Sequence, residues 1–361
     1  MRKFGIVETL CCSVALWWAP GAQAADIVPR YDHVFVIVEE NHTTDQIVGS
    51  GKAPAFDALA KEYGLASNFY GETHPSEPNY VAMVGGDTFG ITDDDAYYCK
   101  PNSDREGCED SESDGYVDHT IAKASLVDQL TARGLSWKGY FEDIPAPGSP
   151  AYRWPSRAAP SPGKPEALYA SKHNGFMNFK SVQDDPARDK KIVGFDALSR
   201  DIARGASPAF AFIVPNQCND MHGLVGHDVP SDCFYLSRSG LIARADRQVV
   251  DLVARIMKSP VWSARGNAAI VITFDENDSG SSGGHPNGCC GSTPSDAGGG
   301  WIATIVITNH GPRGVVDPTP YNHYSLLRTV EQAFGITTYL GHAADSDKGV
   351  VAMTPLFAVK R

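Results

Sequence analysis

Past residue 24 the 361-residue chain has no apolar run long enough to span a bilayer, so no integral membrane helix is expected there. Basic charge is scarce too, with 31 Lys and Arg against 43 Asp and Glu and a formal net charge of −12. Such a surface repels nucleic-acid backbones and anionic membranes, and neither is an expected macromolecular partner. No C-x-x-C pair occurs, which argues against a tetrahedral thiolate zinc site. Internal repeats and low-complexity tails are missing as well, so one domain with elaborate loops is the expected organisation.

What is present begins with an export address. "MRKFGIVETLCCSVALWWAPGAQA" opens basic, carries an apolar stretch from Thr9 to Trp18 and ends on Ala22, Gln23, Ala24, the pattern of a secretory signal. Residues 1–24 are expected to be cleaved, leaving residues 25–361 as a mature domain exported to the periplasm or the medium. Of eight cysteines, Cys11 and Cys12 would leave with the signal, and the remaining six suit disulfides in an oxidising compartment. Cys99 with Cys108 and Cys218 with Cys233 are the sequence-local pairings. The adjacent Cys289 and Cys290 either pair with each other or reach elsewhere.

Four apolar runs stand out: His33 to Asn41, Pro208 to Asn216, Asn267 to Asp278 and Trp301 to Gly311. They do not alternate with polar residues, as expected of parallel strands covered on both faces. Helical periodicity is clearest at Ser239 to Lys258, with Ile242, Ala245, Val249, Val250, Val253, Ile256 and Met257 on one face, and at Asn322 to Phe334. Strands alternating with helices predict an α/β class, a three-layer α/β/α sandwich with a largely parallel central sheet. Irregular stretches at Asp93 to Asp118, Pro145 to Pro165 and Ser279 to Gly300 are long enough to be binding loops.

Chemistry gathers where three of the runs end. The first runs into Glu40 and Asn41, the second into Asn216, Asn219, Asp220 and His222, and the third into Asp275 and Glu276. In open α/β sheets ligands bind at the carboxyl ends of strands, so these groups are expected to share one cleft. "HPSEPNY" joins them. Pro75 and Pro78 restrict their neighbours and leave Ser76 little freedom, and Pro78 is placed as the first residue of a helix whose start attracts anions. The oxygens of Glu40, Asn41, Ser76, Asp275 and Glu276 suit one hard divalent cation, Ca²⁺, Mg²⁺ or Mn²⁺, with zinc or iron still open because histidines lie nearby. His74, His173, His222, His285 and His323 are candidates for phosphate binding or leaving-group protonation, while His33, His119, His227, His310 and His342 are read as structural.

The segments "VEENHTTDQI", "HPSEPNY", "KHNGFMNF", "VPNQCNDMHG", "FDEND" and "HYSLLRTVEQAFGI" occur in order from Glu40 to Ile336. Together they resemble the phosphoesterase family of bacterial phospholipases C and secreted acid phosphatases, in the alkaline-phosphatase-like superfamily. The resemblance implies an alkaline-phosphatase-like fold, a metal held by Glu40, Asn41, Ser76, Asp275 and Glu276, and Ser76 as nucleophile. Histidines of that family bind phosphate, and the likeness to the nucleophile segment of nucleotide pyrophosphatases puts Asn79 at a phosphate oxygen. His74, His173 and His285 are then expected on the substrate, with His222 or His323 as the acid. "SGSSGGHPNGCC" after the acidic pair departs from the larger phospholipases, and the chain ends soon after Ile336, where they carry further domains. The first feature loosens the assignment of His285, and the second favours the small acid-phosphatase branch and a small phosphomonoester substrate. A phospholipase C-type phosphodiesterase is the alternative, with Trp137, Tyr140, Tyr152 and Trp154 as a choline box. A non-catalytic metal- or phosphate-binding protein is the remote one.

Overall fold

The computed structural model describes residues 1, 27–95, 118–156, 160–278, 284–291 and 298–358. The expected signal and the Cys99–Cys108 pairing lie outside them. Among the described residues eleven strands are formed: β1 (His33–Glu39), β2 (Gly64–Tyr70), β3 (Trp137–Phe141), β4 (Arg153–Trp154), β5 (Tyr169–Ala170), β6 (Ile192–Val193), β7 (Phe210–Val214), β8 (Ala268–Phe274), β9 (Trp301–Thr308), β10 (Val315–Asp317) and β11 (Tyr321–Asn322). Nine make one sheet in the order β10–β2–β9–β8–β1–β7–β3–β6, with β11 also beside β2. The strands β4 and β5 form a separate pair.

The run β8–β1–β7–β3–β6 is parallel, with Val36 opposite both Phe212 and Val271. Every residue of β8 and β7 is buried. Because successive side chains point to opposite faces, complete burial means that both faces are covered. The cover consists of two helix groups. The helices Pro54–Glu62, Phe195–Arg204 and Arg238–Met257 pack together, and Ser76–Gly85, Leu126–Ala132 and His323–Ala333 form the other group. This is the expected α/β sandwich with a largely parallel sheet.

One strand departs from expectation. β9 is antiparallel to both β8 and β2, with Ile270 opposite Ile307 and Leu65 opposite Ile305. A parallel neighbour needs a crossover, usually a helix, whereas the link from β8 to β9 is glycine-rich, and an antiparallel strand can return through a loop. In the helix Arg238–Met257 the buried face takes in Leu241 and Leu252, while Val250 is exposed rather than part of that face.

Cys218 pairs with Cys233 as expected, and of the two outcomes left open for Cys289 and Cys290 the structure has them paired with each other. No helix among the described residues is long and apolar enough to cross a membrane.

Candidate active site

Two antiparallel steps, β8 to β9 and β9 to β2, leave β2 pointing the same way as β8. The carboxyl ends of β1, β2, β7 and β8 therefore lie along one edge. Backbone hydrogen bonds stitch that edge together: Asp275 N donates to Glu39 O at 3.0 Å, Glu40 N to Asp220 O at 2.7 Å and Gly71 N to Gly300 O at 2.9 Å. Such close contact leaves no room for side chains at Gly71, where a Cβ would stand 2.8 Å from Asp275 O.

Ser76 is the first residue of a ten-residue helix, Ser76–Gly85, that is buried throughout. The helix begins two residues earlier than expected, so Pro78 is its third residue. That position still lies among the first N–H groups that lack an intrahelical partner, so the proline costs no hydrogen bond. Asn79 fixes the approach to the helix: its Oδ1 accepts from Glu72 N at 2.9 Å and its Nδ2 donates to Thr73 O at 2.8 Å. The amide expected on a phosphate oxygen is thus engaged with backbone.

Ser76 Oγ lies 3.1 Å from Glu40 Oε2 and 3.4 Å from Glu276 Oε1. One hydroxyl carries one proton and cannot satisfy both. Glu40, Asp275 and Glu276 are all buried. Burial, then repulsion from Asp275 and Asp220, raises the Glu40 pKa well above the usual carboxylate range, and burial with the Glu276 charge pushes Asp275 up to about 8. Asn41 holds a left-handed backbone at φ 51° and donates its N–H to Asp275 Oδ1 at 3.2 Å. Its own Oδ1 is buried without a partner, as is Asp275 Oδ2. Crowded anions beside unpaired oxygen acceptors are the donor set a hard divalent cation takes up. The residues therefore fit such a metal.

A second layer surrounds these oxygens. Tyr80, one helical turn after Ser76, donates its hydroxyl to Glu40 Oε1 at 2.7 Å. His173 sets Nε2 at 3.0 Å from that same oxygen and Nδ1 at 3.4 Å from Asp220 Oδ2. Glu40, His173 and His222 offer ligand atoms within 4.8 Å of one another, a nitrogen-bearing group that could also hold a metal. Lys172 Nζ lies 3.1 Å from both His222 Nε2 and Asp94 Oδ2. Burial, followed by the Lys172 charge, lowers His222 to about 3, so the free ring is neutral and its Nε2 accepts from the ammonium. His74 contacts Glu276 Oε2 at 2.6 Å, and although burial opposes the charged ring, Glu276 outweighs it and raises the His74 pKa.

The other sequence candidates meet other partners. His323 opens the helix His323–Ala333 as expected, but its N–H meets Glu72 Oε1 at 3.0 Å and its Nε2 faces Phe274 O at 2.9 Å. Burial lowers it to about 4. His285 stacks on Trp301 at 3.7 Å between ring centroids. The choline box does not assemble. Trp137 stacks on Phe176 in the core and Tyr140 donates to Asp201 at 2.7 Å, because both lie on the buried strand β3, while Tyr152 packs under the Arg153 guanidinium at 4.9 Å. Tyr80, Lys172 and Asp94 were missed as site residues. For Tyr80 the helical spacing from Ser76 was the available signal, and for Lys172 its place next to His173.

The chain belongs to the Phosphoesterase family, whose model matches residues 50–337. That match starts after Glu40 and Asn41. A phosphatidylinositol-3-phosphatase of Mycobacterium tuberculosis is 28% identical over 339 residues, 93% of this chain and 89% of that protein. A phosphate-repressible acid phosphatase of Penicillium chrysogenum is 28% identical over 77% of this chain and 53% of its own length. Among solved structures, a protein in the alkaline phosphatase superfamily from Vibrio parahaemolyticus superposes with a TM-score of 0.51 at 13% identity, over 86% of this chain and 69% of the other. The protein is a hydrolase acting on phosphoric esters.

Proposed function

We propose that the protein is an exported, metal-dependent acid phosphatase that hydrolyses small phosphomonoesters through a phosphoserine at Ser76, within a single phosphoesterase domain. The observation that carries this is the Ser76 hydroxyl, buried at a helix start between Glu40 and Glu276. A divalent cation held by Glu40, Asn41, Asp275, Glu276 and Ser76 would lower the hydroxyl pKa and offset charge on the substrate's non-bridging oxygens. The export reading is supported by the disulfide Cys218–Cys233, which suits an oxidising compartment.

Ser76 Oγ attacks phosphorus in line and passes its proton toward Glu40, the bond to the leaving oxygen breaks, and the alkoxide takes a proton. His222 is the acid. A phosphate dianion arriving beside it favours the charged ring, as opposite charge within a few Å does for any histidine. The Lys172 ammonium and the start of the Ser76–Gly85 helix face the transferring group's charge. Water then attacks phosphorus, the bond to Ser76 Oγ breaks and the serine recovers its proton. His74, His173, His285 and Asn79 shape the pocket around the phosphate, and His323 buttresses the end of β8.

A panel of phosphomonoesters and p-nitrophenylphosphorylcholine, assayed with and without chelator on wild type and Ser76→Ala, tests this. Monoester turnover lost on chelation and in the variant is the expected result. Preferred turnover of the diester would overturn the monoesterase reading, and chelator-insensitive activity would overturn the metal.

A further inference from the structure

Large apolar side chains are exposed singly at Ile27, Val250, Val316 and Val351, which is ordinary for a protein surface. One segment differs. Val225, Phe234, Tyr235 and Leu236 are 65%, 38%, 47% and 66% exposed. They form one patch, because Leu224 bridges to Phe234, Tyr235 N donates to Leu224 O at 3.0 Å and the Phe234 and Tyr235 rings meet at 5.1 Å. The Cys218–Cys233 disulfide closes the loop that bears Val225 and ends immediately before Phe234.

The patch continues into the catalytic cleft. One cavity of about 800 Å³ has Asn41 and His222 of the site and Val225 and Tyr235 of the patch in the same wall, together with Arg153 and Gln217. A phosphate held at His222 would direct its leaving group along this cavity and out across the apolar rim. Whatever covers the rim is then most economically the far end of the substrate, and the protein's net charge of −12 disfavours an anionic membrane as the cover.

We infer that the Val225–Leu236 rim is a leaving-group subsite for the hydrocarbon chain of an amphiphilic phosphomonoester. It rests on the phosphomonoesterase reading and adds a substrate class to it. Chain atoms beyond the first few would lie on Phe234 and Leu236 and leave water, so catalytic efficiency should climb with chain length.

The test measures kcat/KM for p-nitrophenyl phosphate and for butyl, octyl and decyl phosphate, the last also presented in neutral detergent micelles. Wild type is compared with Phe234→Ser/Leu236→Ser and with the milder Leu236→Gln. From butyl to decyl, wild type should gain about tenfold or more. The variants should lose most of that gain and keep p-nitrophenyl phosphate turnover. A flat wild-type series, or the same slope in a folded variant, would overturn the subsite while p-nitrophenyl phosphate turnover keeps the enzyme reading intact. Absence of turnover on every monoester would instead fail the enzyme reading itself. A wild-type dimer that dissociates in the variants, with chain-length dependence unchanged, would assign the rim to a second copy of the chain and overturn the proposal.

Discussion

Ser76 and Glu77 are neighbours in sequence, yet they sit in two buried polar clusters of opposite character. Around Ser76, carboxylates crowd one another, oxygen atoms lack partners and one hydroxyl faces two acceptors. Around Glu77 a cation is already in place, although Glu77 Oε2 is also buried without a partner: Glu77 Oε1 accepts from Asn178 Nδ2 at 2.6 Å and meets His119 Nδ1 at 2.9 Å, and His119 Nε2 meets Asp93 Oδ1 at 3.2 Å. Burial opposes the charged His119 ring, but Glu77 outweighs it and raises the pKa. The difference separates a cluster arranged for an incoming cation from one that supplies its own. The helix start that bears Ser76 is anchored by the next residue, Glu77, paired with a histidine that has a second acidic partner.

The comparison breaks first at Ser76. Ser76→Ala should lower kcat/KM about a thousandfold or more with circular dichroism unchanged, because the nucleophile goes while the fold stays. Chelation comes next. Removing divalent ions should abolish turnover and lower the Tm, and bound metal measured on the active enzyme should come to one ion per chain, since a ligand that binds only the folded state stabilises it by mass action. Two ions per chain would mean a second cation site, at Glu40, His173 and His222 or at Glu77, Asp93 and His119, each of which offers ligand atoms within 4.8 Å of one another. His119→Ala should then follow, costing about 3 kcal/mol of stability by leaving Glu77 buried and unpaired, with the Tm drop on chelation retained. Loss of that drop in the variant would erase the distinction between the clusters.

The smallest effect isolates burial from crowding. Glu331 is buried at the far end of the helix His323–Ala333, accepting Leu340 N at 2.9 Å, and burial pushes it up to about 8. A folded pKa above the unfolded one means that its stability contribution is present at low pH and lost as pH rises through 8. Wild-type Tm should therefore fall between pH 5 and 9, and Glu331→Gln should flatten part of the fall. An unchanged slope would show that burial alone does not raise carboxyls in this protein.

Much of this was readable from the chain. Uninterrupted apolar runs gave the strands, and their polar tips at Glu40, Asn41, Asp220, His222, Asp275 and Glu276 converge as the rule for α/β sheets requires. The direction of β9 was not readable, because an apolar run reads alike in either orientation and only the connection decides. Nor was the fate of Trp137 and Tyr140, since an aromatic in sequence does not say which face of the sheet it meets. His119 was read as structural, and the partner it meets, Glu77, was invisible because they lie 42 residues apart. Lys172 was overlooked for a related reason: its placement against His222 depends on folding across 50 residues.

The central claim is that the Ser76 hydroxyl is the group that bonds to phosphorus. Enzyme quenched in acid during turnover and digested for peptide mass spectrometry tests it most directly. One phosphoryl group on the Ser76 peptide, absent from chelated enzyme and from Ser76→Ala, is the predicted result; a phosphoryl group on a histidine instead, or full turnover by Ser76→Ala, would contradict it.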